Sequence, residues 1–289
     1  MDLELEMSLI SRNVRIVVMQ NDGKVLEIQS LADFLAEPDP LALAAVYGNT
    51  FLDLLLQESY VTEELQLKQV LTGNPHADAT RLCGNLAEAL VVKYCNTHPE
   101  INRILARYAR FGDREDQRLD NYIAIGTASK ITQSAYAQHY QPNDTQRDLI
   151  WIDRTDGTKQ LNCVGGTGMA STPAGLQVKA SHDGMGYVFP SVKNYFYPIL
   201  YFDLKDDWHD VNKALVSAGI QATLIHPDSI MSEIKAQLQG YYRMVVAIIE
   251  GKLTVAQIAE HARETGDSAL LAGLTASDVA SDLTCILKR

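Results

Sequence analysis

The sequence contains no apolar run close to the roughly 20 residues needed to span a bilayer, so no membrane partner is expected. It has no basic stretch at its start. The first residues, MDLELEM, are acidic, so a secretory signal is not expected either. Cysteine is sparse: Cys83, Cys95, Cys163 and Cys285, with no C-x-x-C pair, which argues against a zinc knuckle. Scattered cysteines of this kind read as reduced, buried thiols in a cytoplasmic protein. Positive charge is scarce as well. Lys and Arg number 25 against 36 Asp and Glu, a net charge of −11, which argues against non-specific adhesion to nucleic acid or anionic lipid but leaves room for a local basic groove. There is no internal repeat and no low-complexity tract.

What is present is ordinary globular material. The 289 residues are 46% hydrophobic and 21% charged, a balance that excludes a disordered chain, a coiled-coil rod or a collagen-like fibre. The length suffices for a sizeable core and suggests about two domains at roughly 150 residues each.

Hydropathy patterning divides the chain in three. In residues 1–75, VRIVVM (14–19) and KVLEIQ (24–29) flank Asn21-Asp22-Gly23, a hairpin signal because Asp-Gly tolerates the positive φ of tight turns. One or two helices follow between Leu41 and Leu71. Residues 76–227 begin helical, through RLCGNLAEALVVKYC and a second helix over 100–110, with helical character expected to about residue 140. The period then switches. RDLIWID (147–153), KQLNCV (159–164), GLQVKAS (175–181), YPILYFDL (197–204) and QATLIHP (221–227) read as strands. The turn TDGT, a Gly/Ser/Thr-rich loop over 165–173, and the helix DVNKALVSAG with a glycine stop lie among them. This is a mixed α/β core. Residues 228–289 read as helical to the end, including SDVASDLTCIL, with Thr254 and Gln257 set as a capping box.

The segment that carries chemistry runs from Asp148 to Lys179. Asp148 opens the strand LIWID, and Gln177-Val178-Lys179 sits in another apolar strand 29 residues on. Residues two apart in a strand share a face, so Gln177 and Lys179 project together. A lysine on a largely apolar strand is costly unless it is paired. Oxygen ligands, a lysine and a water suit metal-assisted phosphodiester hydrolysis, where Mg²⁺ binds through a few side-chain oxygens and substrate phosphate.

This arrangement resembles the PD-(D/E)xK phosphodiesterase superfamily, the restriction-endonuclease-like fold, in its Q-x-K variant. Asp148 matches the aspartate that opens one strand, Gln177-Val178-Lys179 matches the triplet of the next, and Glu88 in GNLAEAL matches an upstream helix glutamate. The match covers roughly residues 80–226. It departs from the family in lacking a literal Pro-Asp, for which Pro142-Asn143-Asp144 is a loose echo, and in placing an uncharged Gln177 at the second acid, which lowers metal affinity. Asp153 and Asp156 compete with Asp148, although Asp156-Gly157 also reads as turn chemistry.

The resemblance implies a mixed central sheet flanked by helices, with additional N- and C-terminal, mainly helical segments. It implies a Mg²⁺-dependent endonuclease, Mn²⁺ substituting, that hydrolyses DNA in a restriction or phage-defence system. It further implies a homodimer, as in type II restriction enzymes, with no small-molecule cofactor. Asp148, Gln177 and Glu88 would hold the metal, and Lys179 would orient water or stabilise the transition state. Arg103, Arg107, Arg110, Arg114 and Arg118 recur at helical spacing and would form a basic face for a phosphate backbone if the helix continued through Gly112, with Lys193 among aromatics as a further contact. The alternatives are a non-catalytic, partner-binding protein on a degraded nuclease fold, a plain α/β core with a snorkelling lysine, and an unrelated α/β enzyme centred on the loop Gly165–Gly168.

Overall fold

The computed structural model describes residues 15–19, 25–30, 40–68, 71–165, 169–265 and 284–288. The chain divides into two compact units: residues 1–53, 61–69 and 240–289 in one, and residues 54–60 with 70–239 in the other.

In the first unit, strands β1 (Arg15–Met19) and β2 (Val25–Ser30) pair antiparallel in the register Arg15 with Ser30, with a bulge between Val18 and Met19. The expected hairpin strands are therefore present, while the Asn21-Asp22-Gly23 turn lies outside the described residues. On its other side β1 pairs in parallel with a strand at Thr284–Lys288, making a three-stranded sheet. This corrects the helical expectation for the C-terminal segment. The Thr-Cys-Ile-Leu tract finds an open strand edge to complete, and that ladder outweighs a helix too short to nucleate alone. Thr254 and Gln257 form the expected capping box at the start of the helix Val255–Thr265: Gln257 N donates to Thr254 Oγ1 at 3.1 Å and Thr254 N to Gln257 Oε1 at 2.9 Å.

The second unit holds the mixed α/β core. Helix α1 (Pro40–Gln57) ends in this unit. Helix α2 (Pro75–Thr97) begins at Asn74, whose side chain accepts from Ala77 N at 3.2 Å, with Pro75 in the first turn. It buries Ala79, Leu82, Cys83, Leu86, Ala87, Leu90 and Val91, a stripe of period 3.6. Helix α3 (Pro99–Ala109) follows.

Strand β3 (Tyr122–Gly126) then appears where helix was expected. Its reason is visible in the pairing. Tyr-Ile-Ala-Ile alternates, and Ile123 and Ile125 pack with Ile150 and Ile152 on one face of an antiparallel ladder with β4 (Leu149–Asp153). The other edge of β3 is closed by the Asn96 side chain of α2, whose Nδ2 donates to Ala124 O at 2.9 Å and whose Oδ1 accepts from Ala124 N at 3.0 Å.

Strands β5 (Gln177–Ser181), β6 (Ile199–Asp203) and β7 (Leu224–Ile225) form a parallel sheet with Lys179 opposite Tyr201. Leu149 N donates to Leu176 O at 3.0 Å and Leu176 N to Leu149 O at 2.9 Å, which stitches β4 to the start of β5. The expected return strand at 159–164 is reduced to single bridges, Ile152 with Gln160 and Asn162 with Pro173. Helix α4 (Trp208–Ser217) closes over β6 with Val211 and Leu215 buried, and Gly219 at φ +66° provides its stop.

Candidate functional site

Asp148 is fixed from both sides by backbone. Its N–H donates to Leu176 O at 2.9 Å, and its carbonyl accepts from Thr127 N at 2.8 Å. The neighbouring carbonyl of Arg147 accepts from Thr127 Oγ1 at 2.7 Å. The side chain is thereby aimed across the stitch between β4 and β5. Asp148 Oδ2 accepts from Val178 N at 2.7 Å and from the Gln177 amide Nε2. The spacing read from sequence thus brings Asp148 and the Gln177-Val178-Lys179 triplet into direct contact.

Burial pushes the Asp148 carboxyl up to about 6 despite the Val178 N–H and the Lys179 charge, with Asp144 adding to the rise. Burial likewise pushes Glu88, on α2, well above the usual carboxylate range. The Asp148 and Glu58 charges push Glu88 further, and Lys179 opposes them. Burial by itself would lower the Lys179 ammonium. Asp148 and the phenols of Tyr195 and Tyr187 outweigh it and raise the group above its ordinary value. Its Nζ also sits 5.1 Å from the centre of the Tyr195 ring, a cation–π contact. Glu88 and Lys179 line one cleft of about 590 Å³ together with Asn85, Ser181, His182 and Tyr187. Gln177 is buried, and among the described residues its Oε1 has no hydrogen-bond partner.

The rival aspartates are committed to turns. Asp153 Oδ1 accepts from Thr155 N at 2.8 Å and Asp156 N at 3.0 Å. Asp156 accepts from Thr158 Oγ1 at 2.6 Å and pairs with Lys159 at 3.0 Å. Asp144, in the loose echo of Pro-Asp, pairs with Arg147 at 2.8 Å.

The arginine series does not form one face. Helix α3 stops at Ala109, where Gly112 N donates to Arg107 O at 2.9 Å and Phe111 takes φ +57°. Arg114 lies beyond this stop and is exposed. Arg103 is held by Asp120 at 2.7 Å and Arg118 by Asp116 at 2.6 Å. Arg107 stacks over Tyr108 at 4.4 Å. Lys193 is an exposed cap residue of the short helix Phe189–Val192. In the nearby aromatic run, Phe189 and Tyr195 pack on the core beside β6, while Tyr187 and Phe196 are exposed.

Two contributors were not found in the sequence. Tyr195 meets Lys179 through a chain reversal after β5, a relation with no short-range signature. Glu58 accepts from Ser129 Oγ at 2.8 Å and from Lys130 N at 2.9 Å, capping the helix Lys130–Ala135, and its charge reaches Glu88.

Among the described residues no three His, Cys, Asp or Glu side chains lie close enough to hold a metal ion by themselves. The donor set nevertheless suits a hard cation. Two carboxyls are held above their ordinary range, and the amide of Gln177, bound to one of them through Nε2, has a buried oxygen that meets no donor among the described residues. No family model, no curated protein and no solved structure matches this chain. Among the described residues no helix is long and apolar enough to cross a membrane.

Proposed function

We propose that the chain is a metal-dependent phosphodiesterase of the restriction-endonuclease-like, PD-(D/E)xK type, acting on DNA in a restriction or phage-defence setting. The observation that carries this reading is the contact of Asp148 with Gln177 and Val178 beside Lys179, with Glu88 facing the same lysine. Three segments far apart in sequence converge in the combination that the chemistry needs. The antiparallel β3–β4 pair, bridged at Leu149–Leu176 to the parallel β5–β6–β7 sheet, is a mixed α/β arrangement that supports this reading.

Asp148, Glu88 and the Gln177 amide oxygen would hold a Mg²⁺ or Mn²⁺ ion. When bound, such an ion supplies Lewis-acid stabilisation of a phosphoryl oxygen and lowers the pKa of a coordinated water. Lys179 is protonated at neutral pH, so it stabilises negative charge that develops on the phosphate rather than removing a proton. Tyr195 holds the lysine chain in place. A second copy of the chain would supply the second active site that cutting both strands requires.

The test is incubation of the purified protein with plasmid DNA and Mg²⁺ or Mn²⁺, beside Lys179→Ala. Discrete, metal-dependent fragments are expected, with cleavage reduced about 10²–10³-fold in the variant, the size typical of losing one preorganised charge. Equal cleavage by both proteins overturns the assignment of Lys179.

One observation favours a second reading, a partner-binding protein on a degraded nuclease fold. Asp148 Oδ2 already accepts two hydrogen bonds, one of them from the Gln177 amide that stands where the family has an acid. Under this reading calorimetry detects no Mg²⁺ or Mn²⁺ binding, and plasmid stays intact with either protein.

A further inference from the structure

A second cleft, of about 520 Å³, opens beside the far end of β4. Its lining includes Arg110, Arg118, Gln160, Asn162 and Gly165. Gln160 pairs with Ile152, four residues along the strand from Asp148, or about 13 Å at the ordinary rise of a strand. The cleft is therefore separate from the Asp148–Lys179 cluster.

Among the described residues, Arg110 Nε and Gln160 Nε2 are both buried donors without a hydrogen-bond partner. Buried donors are nearly always satisfied, because an unpaired one gives up its hydration and gains nothing in return. Both donors belong to residues that line one cleft and come from different elements, which marks this cleft as the place where an acceptor is missing. The nearby acid does not supply it. Asp116 feels the Arg110 charge but is bound by Arg118 through both its oxygens, at 3.1 and 2.8 Å from Nε. The backbone holds the donors in register. Val164 N donates to Arg110 O at 2.8 Å, which ties the chain after Gln160 to the end of α3, and Leu161 N donates to Trp151 O at 2.8 Å. An arginine guanidinium and a glutamine amide NH₂ on the walls of one cleft offer the donors that the oxygens of a tetrahedral oxyanion accept.

We propose that the Arg110–Gln160 cleft binds a phosphate group, either free or within a nucleic-acid backbone. The site stands whether or not the Asp148 cluster is catalytic. The experiment titrates inorganic phosphate into the full chain at constant ionic strength, reading affinity by calorimetry and protection by thermal unfolding. Wild type is expected to bind phosphate. Arg110→Met and Gln160→Leu, each checked for folding by circular dichroism, are expected to lose at least tenfold in affinity. Using both variants guards against one of them failing to fold. Lys179→Ala is expected to bind phosphate as wild type does, even though it should lose cleavage.

A 12-nucleotide single strand added to the phosphate-loaded protein separates the sources. Displacement of phosphate assigns the site to a nucleic-acid backbone, and retention assigns it to free phosphate. Absence of phosphate binding overturns the proposal, as does equal binding by wild type, Arg110→Met and Gln160→Leu. Loss of binding in Lys179→Ala with retention in Arg110→Met also overturns it, because the anion then sits at the other cleft.

Discussion

Asn102 shows how much one buried amide can organise. Its Nδ2 donates to Leu119 O at 3.3 Å and to Tyr122 O at 3.0 Å, and its Oδ1 accepts from Trp151 Nε1 at 2.7 Å. Helix α3, the turn before β3 and the centre of β4 are tied together by this single side chain. Asn102 and Trp151 are both fully buried, so neither can turn to water instead. Asn102→Leu keeps the volume but strands the indole N–H and two carbonyls. It should destabilise the fold by about 3 kcal/mol, the cost of an unsatisfied buried donor with its neighbours. Urea unfolding checks this. In a Trp151→Phe background the same substitution should cost clearly less, because the indole donor is gone, and an unchanged cost there refutes the account. Nothing local in the sequence announces Asn102, since its partners lie 17, 20 and 49 residues away. Asp148, Gln177 and Lys179 were legible for the opposite reason. Strand parity and a preceding acid are short-range patterns, and the fold had only to bring two strands together.

At the scale of elements, helix ends govern where functional side chains come to rest. Helix α1 closes with Ser59 N donating to Leu56 O at 3.0 Å and Tyr60 N to Leu55 O at 2.7 Å, the bond pattern of a Schellman stop. Ser59 occupies the left-handed position at φ +60°, where a side chain is strained and glycine is not. Because Ser59 is exposed, Ser59→Gly should stabilise the protein by about 1 kcal/mol, read as a higher urea midpoint at unchanged slope. A lower midpoint shows that the Ser59 side chain contributes something that the geometry does not reveal. Phe111 occupies the same position at the end of α3, at φ +57°. There the ring meets Phe196 edge-on and stacks on Tyr197, with centroids 5.3 and 6.5 Å away, and offsets the strain. This stop is why the arginine series read as one basic stripe is broken. Arg103, Arg107 and Arg110 have helical spacing, but the sequence signal for the end was Gly112, and the turn closes one residue earlier on a phenylalanine. Strand β3 was missed for a related reason. Its five residues look apolar in a helical neighbourhood, and only pairing with β4 and the Asn96 amide reveals the strand.

For the whole molecule, charge sets the conditions under which the proposed site can work. A chain with net charge −11 that holds the half-buried Asp148 and Glu88 near one another meets a cost at neutral pH that a divalent cation would relieve. The sign follows from linkage. A free aspartate titrates at 3.8 and folded Asp148 at about 6, so the folded state holds this proton more tightly than the unfolded chain does. The contribution to stability is complete below about pH 4 and is lost as pH rises through about 6, amounting to at most about 3 kcal/mol. Glu88 acts in the same direction. Above pH 6 the metal-free protein is therefore weakened at this cluster, and the ionised carboxylates are then available as ligands. Magnesium binding only the folded state stabilises it by an amount set by its concentration over its Kd. Thermal unfolding should show Mg²⁺ raising Tm more at pH 8 than at pH 5. Asp148→Asn should remove most of that difference and should flatten the fall in metal-free stability between pH 4 and 7. A Mg²⁺ effect of equal size at both pH values, unchanged by Asp148→Asn, means that the ion binds elsewhere on an acidic surface and that Asp148 and Glu88 do not hold it.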